Sequence, residues 1–137
     1  MELIFDYTSI ACFLSPSSRD RIVYELSSPK KRMKAWMRFS HGVEDIINTE
    51  YIHFKGNYID EKVKFEIEKH ASEGVVLSFE FQTGKIMSIN DVFDYLSKTY
   101  NTTLALIENW LVIKKEYEGG NAEFYILRKK DTRSTLV

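Results

Sequence analysis

Between Trp110 and Arg128 two runs rich in β-branched and aromatic residues, Trp-Leu-Val-Ile-Lys-Lys-Glu-Tyr and Ala-Glu-Phe-Tyr-Ile-Leu-Arg, flank Glu-Gly-Gly-Asn. A Gly-Gly pair supplies the positive φ that a tight turn needs, so the stretch predicts a β-hairpin. It is the natural central pair of strands, and the remainder of the chain has to supply a sheet and a cover for it.

Enough material is present for one core. A chain of 137 residues fits a single domain over 1–137, and 44% apolar with 28% charged residues is a globular composition. The last residues, 129–137, lose periodicity and are expected to fray. Aromatics reach 14%, enough to furnish an interface as well as a core. Cys12 is the only cysteine, which excludes an internal disulfide framework and, with three scattered histidines, a cysteine-based zinc site. A reducing cytoplasmic location is therefore expected. The N-terminal Met-Glu-Leu-Ile-Phe-Asp has no basic region and its apolar run is broken at Asp6, so it does not read as a secretory signal. No apolar run approaches the roughly 20 residues of a membrane helix.

Three capping signals place helices, and a fourth stretch fits a further turn. Ser15-Pro16 predicts one over about Pro16 to Leu26, Ser28-Pro29 starts a second with Met33, Trp36 and Met37 as its apolar stripe, and Val43 to Asn48 fits one further turn. Ser88-Ile-Asn-Asp91 resembles a capping box ahead of Val92, Phe93, Leu96 and Tyr100, predicting a helix over Ile89 to Tyr100. Elsewhere the period is two: Glu2 to Phe13 reads as a short strand and loop, Ile52 and Phe54 alternate with polar residues, and Val63, Phe65 and Ile67 alternate with Lys and Glu. Leu77, Phe79 and Phe81 continue the pattern, and Thr103 to Glu108 leads into the hairpin, with Asn109 as a bulge. The expected fold class is α+β: an antiparallel sheet of five to seven strands with about three helices packed on one face.

Chemistry-bearing motifs are sparse. His53 and His70 have no partner at metal-ligand spacing, the serines at 15, 17 and 18 lack a nucleophile context, and Gly119-Gly120 has no following Lys-Ser/Thr, so it is a turn and not a phosphate loop. No catalytic residues, metal or cofactor are expected. Charge is more informative, because it is unevenly spread: residues 1–41 hold seven Lys and Arg against four Asp and Glu, 42–94 hold five against eleven, and 95–137 hold seven against five. The acidic block, with Glu44, Asp45, Asp60, Glu61 and Glu66 around Tyr58, suits a protein partner with a basic groove, since complementary charge accelerates encounter and aromatics anchor it. The basic segment offers an alternative. Lys30, Lys31, Arg32, Lys34, Arg38 and His41, interleaved with Trp36 and Phe39, are the residue types a nucleic-acid-binding or ribonuclease domain would use. The whole chain's near-neutral net charge of −1 and the helical spacing of the apolar residues favour instead a core stripe under a solvated face.

A small, cysteine-poor α+β chain with an acidic, tyrosine-dotted middle resembles the immunity proteins that bacteria encode beside toxins delivered to neighbouring cells. The resemblance is one of character and spans the whole chain. It implies a cytoplasmic, non-catalytic inhibitor that binds one cognate toxin, often a nuclease, and covers its basic cleft.

Overall fold

The computed structural model describes residues 5–78, 84–115 and 122–129. The Gly119-Gly120 turn, the Phe79 and Phe81 positions, the start of the expected N-terminal strand and the tail from 130 onward lie outside the described residues.

The N-terminal segment is helical over Tyr7–Phe13, where the end of a short strand and a loop were expected. Asp6 accepts a hydrogen bond from the Thr8 amide at 3.0 Å and caps a 3-10 helix, Tyr7–Phe13. Tyr7, Ile10 and Phe13 are spaced by three, one 3-10 turn, so all three enter the core together. The two Ser-Pro signals are followed by α1 (Arg19–Ser27) and α2 (Arg32–His41), and α3 (Val43–Ile46) is the further turn. In α2 the inner stripe is Ala35, Trp36 and Phe39. Ala35 and Phe39 lie one turn apart with Trp36 beside them, and this rotates Met33 and Met37 outward, to 50% and 55% exposure.

Next come β1 (Ile52–Gly56) and then α4 (Glu61–His70), a helix where alternation predicted a strand. Val63 and Ile67, four apart, are buried on one side, while Phe65 falls on the other and is 60% exposed. Lys64 and Glu68 pair across one helical turn at 3.9 Å, and Glu-Lys-rich sequence is good helix former. The remaining elements are β2 (Glu73–Ser78), β3 (Lys85–Ser88), α5 (Ile89–Lys98), β4 (Thr103–Ile107), β5 (Trp110–Lys115) and β6 (Glu123–Arg128). Ser88 caps α5 as the sequence predicts, accepting from the Asp91 amide at 3.2 Å. Ser88→Ala is expected to lower the unfolding free energy by about 1 kcal/mol in urea titrations. An unchanged midpoint would show that this cap contributes nothing.

The six strands among the described residues form one antiparallel sheet in the order β1-β6-β5-β4-β2-β3. β5 and β6 pair in register from Trp110 opposite Arg128 to Lys115 opposite Glu123, the hairpin expected from the sequence. Asn109 belongs to a two-residue turn and not to a bulge: Ile107 pairs with Trp110, and Glu108 takes a φ of 52° to close the hairpin.

Side chains of the inner strands divide by parity. Leu77, Leu104, Leu111, Ile113, Tyr125 and Leu127 join the 3-10 helix and α1 to α3 in one core, the helical layer expected over one face. Val76, Ala105, Ile107, Trp110, Val112 and Ile126 join α4 and α5 in a second core, so a further helical layer covers the opposite face. Each large apolar side chain removed from water contributes about 1.5–3 kcal/mol, and two such cores account for a sheet buried on both sides.

Candidate functional site

The sheet places the expected acidic residues on different sides. Glu44 and Asp45 sit on α3, over the first core, whereas Glu61 and Glu66 sit on α4, over the second. Edge strand β1 connects the two. Its pairing with β6 is irregular between Ile52 and Phe54, so Ile52 packs on the first core and Phe54 on the second. The neighbouring polar residues follow suit. Lys55 reaches Glu44 at 3.2 Å and Glu123 at 3.5 Å and lies over the Tyr125 ring at 5.3 Å. His53 reaches Glu66 at 3.5 Å and stands edge-on to Trp110, while Arg128 pairs with Glu66 at 3.0 Å.

These groups tune one another. The hydrogen bond to Glu44 raises the Lys55 ammonium pKa well above its usual value. Tyr125 donates to Glu123 at 2.7 Å, which lowers the Glu123 carboxyl, and burial ahead of that carboxylate pushes the Tyr125 phenol up to about 12. Glu44 and Glu66 are thus engaged in holding β1, α3, α4 and β6 together.

Tyr58, Asp60 and Glu61 form the group that stays together. Tyr58 lies in the segment between β1 and α4, Asp60 is the N-cap residue of α4 without a side-chain cap bond, and Glu61 begins the helix. Negative charge there is favourable beside the helix N-terminus. Tyr58 is 73% exposed, the second most exposed large apolar or aromatic residue among those described. It borders a cavity of ≈ 450 Å³ with Glu61, Lys64, Phe93, Lys114 and Phe124. Lys114, although buried, donates to the carbonyls of Leu96 and Thr99 at the end of α5, where a cation complements the helix terminus, and it lies over Phe124 at 5.5 Å. Lys64 lies over Phe93 at 5.5 Å. The cavity is an aromatic recess with two cations and the carboxylate of Glu61 among its lining residues.

The basic segment splits into structural and outward-facing members. Arg38 makes two hydrogen bonds to the buried Glu25, at 2.8 and 3.0 Å, and this pairing holds the Glu25 carboxyl below its usual range. Arg32 donates to the Leu26 carbonyl at 2.8 Å, closing the end of α1, and stacks over Tyr7. Lys30, Lys31, Lys34 and His41 are exposed. The aromatics Trp36 and Phe39, which nucleic-acid stacking would need at the surface, are both in the core. Exposed Met33, Met37, Phe65 and Tyr24 were not singled out from the sequence as surface residues. The available signal was the i, i+4 spacing of Met33 and Met37 within a lysine-rich run, which places both on one side of a helix.

Among the described residues no group of three or more His, Cys, Asp or Glu is placed to hold a metal ion. No helix among them is long and apolar enough to cross a membrane. Compared with known proteins, the chain matches no family model, no curated protein and no solved structure, so the functional reading rests on this geometry and on the sequence.

Proposed function

We propose that this protein is a non-catalytic protein-binding module whose partner presents a basic surface. The observation that carries this reading is the exposed Tyr58 at the rim of an aromatic recess, with the carboxylates of Asp60 and Glu61 beside it at the start of α4. An exposed tyrosine supplies a rigid amphipathic anchor, the recess accepts a partner side chain, and the carboxylates steer and pair with cations. In an immunity protein, the class its sequence resembles, this surface would cover the basic cleft of a cognate toxin. Glu44 and Glu66 then act at one remove, by fixing β1 and α4, and Asp45 lies apart on α3.

Recovery of the tagged protein from its own cells, with and without nuclease treatment, identifies what stays bound. Isothermal titration with that partner then tests the surface. Tyr58→Ala and the double reversal Asp60→Lys with Glu61→Lys are each expected to weaken binding at least about thirtyfold, the scale of an interface hot spot. Undiminished affinity in both would show that this surface is not the interface. The nucleic-acid reading of residues 30–41 has less support, because its aromatics are buried and Arg32 and Arg38 are occupied by Leu26 and Glu25. Retained RNA or DNA that is lost on raising salt would reverse that ranking.

A further inference from the structure

A second surface lies on the opposite side of the sheet. Along the outward side of α2 run Met33 and Met37, one turn apart and half-exposed, with Lys34 and His41 beside them and Lys30 and Lys31 just before the helix. Tyr24 of α1, 59% exposed, adjoins this row, because Lys31 lies over its ring at 5.7 Å. Between α2 and α3 a groove of ≈ 440 Å³ continues the row; Met37 and Ile46 are its apolar lining, Lys34, Arg38 and His41 its basic lining, and Asp45 the carboxylate among its lining residues. Lys30, Lys31 and Lys34 make no ion pair among the described residues, whereas Arg38 is neutralised by Glu25.

We infer that this face of α2 docks an acidic amphipathic helix of a partner protein. Two exposed methionines one helical turn apart form an adaptable apolar strip that fits an apolar helix face, since the unbranched thioether side chain repacks around different contours. The lysines along its border select a helix whose flanks are acidic, and charge complementarity thereby chooses the occupant. Nucleic acid would use the lysines but leave the methionine strip unused, and Trp36 and Phe39, being in the core, supply it no stacking platform. This inference does not depend on the Tyr58 surface, which belongs to the other helical layer.

Fluorescence anisotropy with two labelled helical peptides of about 18 residues tests it. One carries leucines at i, i+4, i+7 and i+11 with glutamates flanking them, and the other carries lysines in place of the glutamates; a single-stranded oligonucleotide of similar charge is the third probe. The acidic peptide is expected to bind, the lysine peptide not to bind, and the double variant Met33→Ser with Met37→Ser and the single variant Lys34→Glu each to weaken binding about tenfold. All three positions are exposed, so thermal melts should match the parent. Asp60→Lys with Glu61→Lys should leave peptide affinity unchanged, separating this surface from the other. No saturable binding of the acidic peptide up to about 1 mM, affinity insensitive to the methionine pair, or tighter binding of the oligonucleotide would each overturn the assignment.

Discussion

Replacing Arg38 by Met is expected to lower the unfolding free energy by about 3 kcal/mol at neutral pH, because it leaves the Glu25 carboxylate buried without its counter-ion. Glu25 is 5% exposed and accepts both hydrogen bonds of the pair, while the Arg38 guanidinium keeps partial access to water, which sets the loss near the lower end for a buried pair. The sign with pH follows from the direction of the shift. Hydrogen bonding to Arg38 holds the folded-state pKa of Glu25 below its unfolded value. The parent therefore has the full benefit of the pair above the ordinary carboxylate range and loses it as pH falls through the folded pKa. In the variant the burial that opposes ionisation is no longer offset by those hydrogen bonds, so protonation relieves it. Urea unfolding of both proteins across the acid range should show a gap that is widest at neutral pH and narrows on acidification. A gap of constant size would mean that the loss comes from the packing of the arginine stem and not from the stranded charge.

Phe39→Ala is expected to cost about 4 kcal/mol, or roughly 12 °C in Tm for a chain of this size. Phe39 is fully buried in the first core, with its ring 6.1 Å from that of Trp36, and it lies one turn beyond Ala35 on the inner stripe of α2. Removing the ring opens a cavity under the helix that carries the exposed lysines and methionines. Met37→Ala, two residues away on the outer side, should change stability by less than about 0.5 kcal/mol. Calorimetric melts of the two variants make the comparison, and similar losses would reverse the orientation of α2. The pair also separates stability from binding, since only Met37 belongs to the proposed docking face.

Much of the architecture was readable locally. Ser88 and Asp91 sit at the spacing that caps a helix, the two Ser-Pro steps precede α1 and α2, and the β-rich runs from Trp110 and Ala122 become β5 and β6. Each of these depends on residues within a turn or two of one another, and hydrogen bonding at that range is set by the sequence itself. The N-terminal segment was also readable in retrospect, because Tyr7, Ile10 and Phe13 recur every third residue, but strand propensity at Leu3 to Phe5 obscured it. Helix α4 was misread because Val63, Phe65 and Ile67 satisfy a period of two as well as the i, i+4 pairing of Val63 with Ile67. Only packing against the sheet chose between them, burying two of the three and leaving Phe65 outside.

The candidate surfaces were less legible than the elements that carry them. Sequence determined that residues 42–94 are acidic, that residues 30–41 are basic and that the chain forms an α+β domain. Tertiary structure decided which charges remain available to a partner. Pairing of β1 with β6 brings His53 and Lys55 beside residues some 70 positions away, so Arg128 neutralises Glu66 with His53 beside it, and Lys55 bridges Glu44 and Glu123. Packing of α1 on α2 does the same for Arg38 through Glu25. Ion pairs of this kind depend on strand order and helix rotation, which are set by burying two apolar faces at once. A linear count of charge carries no term for either.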